Sequence, residues 1–267
     1  MDSNPAERRC VIVGRGRAGL SFEGALRSIG WSVTVVPSRP LLDDRHALDA
    51  VMQQAVSAEL VLLAVPDGAI SDVARRLGHV EGVVAHVSGA CSLDVLAPHA
   101  RTGSIHPLMS LPNPATGVRR LLDACNFAVD GDEMMTSVAH GLGGRAFSVG
   151  HEHRALYHAT ASVAANHVTV LCAQVERLAD LVPVPVDAFW TLMTTTIENI
   201  VEGGARESLT GPASRGDWTT VRAHLAALPH AERALYLVLA AGAADLGGQE
   251  MPDDLRHAAL EIDLEQE

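Results

Sequence analysis

The chain has 267 residues, 48% of them hydrophobic but only 3% aromatic, and a formal net charge of −12. That length gives one large domain or two smaller ones a substantial core, and the Ala-, Val- and Leu-rich composition excludes a disordered chain. The acidic balance excludes a surface built to coat nucleic acid or anionic lipid, since both need clustered positive charge.

All 20 basic side chains are arginine. Without lysine, the chain has no ammonium group to serve as general acid, Schiff-base former or carboxylate clamp. The N-terminal "MDSNPAERR" is polar and holds no secretory apolar core, and runs such as "LVLLAVP" are too short to span a bilayer, so the expectation is a cytoplasmic protein with no membrane partner. Cys10, Cys91, Cys125 and Cys172 are far apart and form no C-x-x-C pair, which fits reduced thiols better than disulfides or zinc. "HEH" at His151–His153 lacks a clustered carboxylate or cysteine partner, and no metal site is expected.

From Arg9 to about Val149 short β-branched runs alternate with helix-like stretches, the pattern of βαβ units feeding a parallel sheet. "CVIVG", "SVTVVP", "LVLLAVP", "VVAHVSG", "GSIHPL" and "NFAVDG" are the predicted strands, and the first four end in Gly, Pro or Ser along one carboxyl edge, where open α/β sheets bind ligands. After "FSVGHEH" the strands stop. Tyr157, Ala161, Ala164, Val168, Leu171, Val175 and Leu178 recur at steps of three and four, predicting one helix of about thirty residues with an apolar seam, packed in a core or across a dimer. "PVDAFWTLMTTTIENIVEGGARESL", "DWTTVRAHLAALP" and "HAERALYLVLAAGAADLGG" predict further helices, with Pro185, Asp217 and Pro229 near their starts. The fold class expected is α/β, a Rossmann-type parallel sheet over residues 1–150 followed by an all-α domain over 151–267.

The first strand runs straight into "GRGRAG". Gly14, Gly16 and Gly19 have the G-x-G-x-x-G spacing between a strand and a helix: a tight turn, a backbone approach to a pyrophosphate, and close helix packing, with Arg15, Arg17 and Ala18 in the same loop. At the end of the second strand, where a carboxylate would take the ribose hydroxyls of NAD, the chain has Pro37, Ser38 and Arg39. A hydroxyl and a guanidinium suit a 2′-phosphate, so the cofactor expected is NADP. Val65, Pro66 and Asp67 follow the third strand and are expected along the cofactor; Ser88 and Gly89 follow the fourth, and His106 in "IHP" is expected against the nicotinamide or substrate.

In "YHATASVAAN", His158, Ser162 and Asn166 stand at i, i+4 and i+8. Buried without partners such groups cost on the order of 1–3 kcal/mol each, so they point to a ligand, and His158 is the proton donor available near neutral pH. "SLTGPASRGDW" forms a turn with Asp217 as a helix cap, and Thr210, Gly211 and Arg215 are placed to hold a substrate carboxylate.

With "GRGRAG", "LAVPDGAI", "HVSGA", "IHPL", "ALYHATASVAANH" and "SLTGPASRGD" in that order, nearly the whole chain resembles the Rossmann-like proteins with a C-terminal helical domain of unknown function, in the superfamily whose helical half is like that of 6-phosphogluconate dehydrogenase. The resemblance implies a homodimer and a small-molecule substrate beside a nicotinamide dinucleotide. Its relatives include ketopantoate reductase, pyrroline-carboxylate reductase and prephenate dehydrogenase. It also implies a substrate serine at Ser88, the asparagine of hydroxyacid dehydrogenases at Asn166, and Ser162 where those enzymes carry their lysine. The function expected is therefore an NADP-dependent oxidoreductase reducing a ketopantoate-like oxo acid, with His158, Asn166 and Ser88 as catalytic residues. The alternatives are a cyclic imine reductase and a non-catalytic NADPH-binding dimer.

Overall fold

The computed structural model describes residues 8–38 and 53–261; the expected phosphate ligand Arg39 lies outside them. The chain divides after His167 into two compact units.

In the first unit the β-branched runs become strands β1 (Arg9–Val13), β2 (Ser32–Val36), β3 (Leu60–Leu63), β4 (Val83–His86), β5 (Thr102–Pro107), β6 (Asn126–Gly131) and β7 (Arg145–Ser148). They form a seven-stranded sheet in the order 2-1-3-4-5-6-7. The six predicted runs are all strands, and the pairs from β2 through β5 are parallel, with helices crossing from β1 to β2 and from β3 to β4. β6 pairs antiparallel with β5, so it and the seventh strand, parallel to it, reverse the sheet's direction. β7 was not expected: "RAFS" is four residues long with no fully buried position, too short for alternation to register.

Alternate strand residues fill two cores. Cys10, Ile12, Leu60, Leu62, Ala85, Ile105 and Phe127 face one way and pack with Phe22 and Leu26 of α1 (Arg17–Ser28), Leu121 of α3 (Pro114–Leu122) and Met135 of α4 (Met134–Gly141). Val11, Val13, Val61, Leu63 and Val84 face the other way, onto Ile70, Val73 and Ala74 of α2 (Asp67–Arg76). Each aliphatic side chain so enclosed contributes about 1.5–3 kcal/mol. Asn113 caps α3, its side-chain oxygen accepting from the Thr116 amide at 2.9 Å, with Pro114 at the first helical position.

The expected thirty-residue helix begins as α5 (Arg154–Ser162), passes through a π turn (Val163–His167) and continues in sequence as α6 (Val168–Ala179). The i→i+5 bonding of the π turn takes more residues per revolution than the α-helix, a feature a 3.6-residue periodicity cannot report.

The second unit adds α7 (Val186–Gly203), α8 (Ala205–Ser208), α9 (Trp218–Ala227), α10 (His230–Gly247) and α11 (Asp253–Glu261). Pro185, Asp217 and Pro229 are the N-caps of α7, α9 and α10. The "GG" in the first of these predicted helices ends it: Gly204 takes φ +88, so α7 and α8 are separate. The unit's core is small, with Ala213, Val221, Leu237, Ala240, Met251 and Leu255 buried together. No residue of α7 is buried, and Leu192, Ile197 and Val201 expose half or more of their surface.

Candidate functional site

The glycine loop has the geometry its spacing predicts. Gly14 takes φ +122, and a Cβ on it would lie 2.2 Å from the Ala64 carbonyl oxygen; a Cβ on Gly19 would lie 2.0 Å from the Gly14 oxygen. Both positions exclude any side chain. At Gly16 the space is open, with no atom within 4 Å of where a Cβ would stand. Gly16 caps α1 without a side-chain hydrogen bond, the first turn holds no acid, and Arg17 stands at the positive end of the helix dipole. A cation there is electrostatically misplaced unless an anion joins it, so amides, guanidinium and open space together fit a pyrophosphate. The Gly14 amide donates to the Val36 carbonyl at 2.8 Å, seating the loop beside the end of β2, with partly buried Ser38 two residues beyond. Arg15 is exposed in the same loop.

Two cavities lie against this edge. One, of about 550 Å³, takes Gly16, Arg17, Ala18, Ala64, Pro66, Ser110, Leu111 and Asn166 into its wall. The other, of about 380 Å³, is walled by His106 to Ser110 on the sheet side and by His158, Ala161, Ser162, Ala164, Ala165 and Asn166 on the helix side. Ser110 and Asn166 belong to both. The π turn carries Asn166, which lines this cavity together with His158 and Ser162. No charged side chain lines the second cavity; its polar groups are two imidazoles, two hydroxyls and an amide.

Of the expected cofactor and substrate residues, Gly14, Arg15, Gly19, Ser38, Val65, Asp67, Ser88 and Gly89 are not in these walls. Val65 is buried and Asp67 opens α2. Ser88 is 7% exposed, and its hydroxyl oxygen accepts from the Ala90 and Cys91 amides at 3.1 Å each, leaving its own proton to donate. Gly89 lies under His106: a Cβ there would meet three ring atoms at 2.9–3.0 Å. Thr210, Gly211 and Arg215 belong to the second unit, where the Arg215 guanidinium donates to the Thr210 carbonyl and the Ser214 hydroxyl to that of Gly211 at 2.8 Å. Asp217 caps α9 through the Thr220 amide at 3.1 Å.

Two residues that sequence reasoning passed over organise the sheet side. Tyr157, read as part of an apolar seam, brings its hydroxyl within 2.7 Å of His106 Nδ1, and the His158 ring meets His106 edge-on with centroids 6.2 Å apart. Arg154, the first residue of α5, is 2% exposed. It reaches over a row of polar side chains abreast on neighbouring strands, His86 of β4, Ser104 of β5 and Asp130 of β6. Its guanidinium donates to the Ser104 hydroxyl and to the Ser88 carbonyl at 3.4 Å, and its Nε lies 3.7 Å from an Asp130 oxygen. The only signal in the sequence was a lone Arg at a helix start, indistinguishable from a surface charge.

Burial sets the titration of this cluster. It pulls His106 down to about 4, helped by His158 and Arg154, and His86 down to about 4, helped by Arg154. It pushes the Tyr157 hydroxyl up to about 12 against the pull of Arg154. At neutral pH both imidazoles are uncharged and the phenol keeps its proton.

Residues 2–112 match the Rossmann-like domain, and residues 125–242 match DUF2520, a domain of unknown function. No curated protein matches the sequence. Among solved structures the chain is similar to BF3122 of Bacteroides fragilis, assigned as an NADP oxidoreductase, with 20% identity and a TM-score of 0.73 over 90% of this chain and 98% of the other. It is similar to TM1727 of Thermotoga maritima at 24% identity and a TM-score of 0.70, over 90% of this chain and all of the other (100%). Pyrroline carboxylate reductase of Plasmodium falciparum with NADP bound shares 7% identity and a TM-score of 0.56, over 90% of this chain and 98% of the other.

Proposed function

Because this chain belongs with the proteins that join a Rossmann-like domain to DUF2520, we propose that it is an NADP-dependent oxidoreductase that reduces a small oxo acid of the ketopantoate kind. One observation carries the reading: the cavity at the glycine loop and the cavity at His106 and His158 share Ser110 and Asn166, so an anion held at the first reaches the polar groups of the second. The bound nicotinamide supplies the hydride.

The chain's own residues supply the rest. The amides at the start of α1 and the Arg17 guanidinium hold the pyrophosphate, while Ser38, Arg15 and Arg39 take the 2′-phosphate. The NADP named for BF3122 and for the Plasmodium enzyme supports that choice. His158, in the wall beside the carbonyl, protonates the developing alkoxide directly or through water, and the Asn166 amide orients the carbonyl. The test is NADPH oxidation with a panel of oxo acids. NADPH is expected to give the lower KM against NADH, and His158→Ala to lose turnover; a preference for NADH or full activity in the variant refutes the respective assignment.

A second reading, reduction of a cyclic imine, is favoured by the absence of lysine: an iminium arrives already protonated and needs no acid. Cyclic imino acids in the same panel separate the two. The exposed apolar face of α7 supports a homodimer, which sedimentation of wild type against Val201→Glu tests.

A further inference from the structure

We propose that Tyr157 locks His106 in one neutral tautomer and that His106 offers its Nε2–H to the substrate's carbonyl oxygen, which makes the cavity a site for carbonyl compounds rather than protonated imines. The inference rests on the reductase reading for its substrate and on the geometry alone for its tautomer.

A phenol hydroxyl both donates and accepts. At 2.7 Å from His106 Nδ1, Tyr157 either donates to a bare nitrogen or accepts from a protonated one. Among the described residues the hydroxyl makes no second hydrogen bond, so donation to Nδ1 is the arrangement that satisfies both groups within the protein. The Arg154 cation nearby favours the same choice, because it makes the phenol a better donor and disfavours a charged ring. With Nδ1 accepting, the ring's single proton stands on Nε2, which no hydrogen bond from the described residues engages, on a residue that lines the cavity. Gly89 leaves room for the ring to sit close over the backbone, since a side chain there would strike it.

The groups facing His106 are Tyr157, His158 and Arg154 from α5 and, more distantly, Asp67 at the start of α2. Only Asp67 favours a charged ring, against burial and two basic neighbours. A neutral N–H donor suits a carbonyl oxygen, which accepts. An iminium N–H⁺ is itself a donor and cannot accept from that Nε2–H. His106 is thus a catalytic residue that polarises the carbonyl, and Tyr157 is a positioning residue acting through it.

The test uses the whole protein with 15N-labelled histidine and needs no cofactor. At pH 7 the His106 nitrogens, assigned by comparison with His106→Gln, are expected to show a protonated Nε2 and a hydrogen-bonded, unprotonated Nδ1. Tyr157→Phe is expected to give a mixture of tautomers and a higher pKa. Titration with oxamate, a carbonyl-bearing mimic of an oxo acid, is expected to move the Nε2–H signal saturably; pyrrolidine, protonated at this pH, is expected not to move it. A protonated Nδ1 in the wild type, or an equal response to pyrrolidine, overturns the proposal. So does silence with oxamate into the tens of millimolar. In turnover with 2-oxobutanoate, His106→Leu is expected to lose on the order of 10²-fold in kcat, with partial rescue by His106→Gln, which keeps an N–H donor. Tyr157→Phe is expected to lose about tenfold. Should NADPH fail to bind at all, the reductase reading falls while the tautomer and probe measurements still decide this one.

Discussion

His86 offers the sharpest test of how burial works in this sheet. It is fully buried, and among the described residues neither ring nitrogen makes a well-formed hydrogen bond, although the Ser92 backbone lies close enough to oppose part of the downward shift. Because burial and the Arg154 cation pull its pKa from 6.5 down to about 4, the native state refuses a proton that the unfolded chain accepts. Stability is therefore whole above pH 6.5, falls as the pH drops toward 4, and falls no further below that. Integrating the two titrations gives a loss of about 2 kcal/mol between pH 7 and pH 5. His86→Leu, close in volume, removes that loss, and at pH 7 it relieves two unpaired polar atoms whose burial costs on the order of 1–3 kcal/mol each, so it is expected to be neutral or stabilising there. His106 titrates over the same range, so the variant keeps about half of the wild-type dependence. Urea unfolding followed at Trp31, with Trp190 and Trp218 replaced by Phe, reads the first unit at both pH values. An unchanged pH dependence, or a loss of more than about 1 kcal/mol at pH 7, refutes the reasoning.

Gly89→Ala places a methyl group against the His106 ring and is expected to fold normally while losing about 10²-fold in turnover, because a displaced donor no longer meets the carbonyl. Native-like circular dichroism with undiminished kcat would contradict it. Arg154→Met removes a buried cation from partly exposed Asp130 and is expected to cost about 3 kcal/mol in chemical unfolding. In the same variant the His106 pKa, followed by NMR, is expected to rise from about 4, since the guanidinium no longer opposes the imidazolium. Asn113→Ala deletes the α3 cap and is expected to lower stability by about 1 kcal/mol with kcat unchanged, measurable in the same unfolding assay.

Local physics written in consecutive residues was legible in the sequence. The β-branched runs gave six strands; Gly14, Gly16 and Gly19 announced a turn, an opening and a close contact; Pro185, Asp217 and Pro229 marked three helix starts. Each of these depends on side-chain periodicity or backbone freedom within a few residues, and needs no distant partner to be recognised. His158, Ser162 and Asn166, spaced at i, i+4 and i+8, line one cavity, while the π turn that carries Asn166 is a feature no composition signal reveals.

Only tertiary structure decided what the polar residues do. Tyr157 has the spacing of an apolar seam, and its hydroxyl became a partner of His106 because β5 and α5, 51 positions apart in the chain, come together. Arg154 looks like a solvated charge and is one of the most buried side chains, because the His86, Ser104 and Asp130 row forms only when three strands pair in register. The antiparallel turn of β6 was likewise settled by pairing with β5. A pattern fixes which face a residue occupies, whereas the energy of a buried charge or hydroxyl depends on the group opposite, and that group is supplied by the fold.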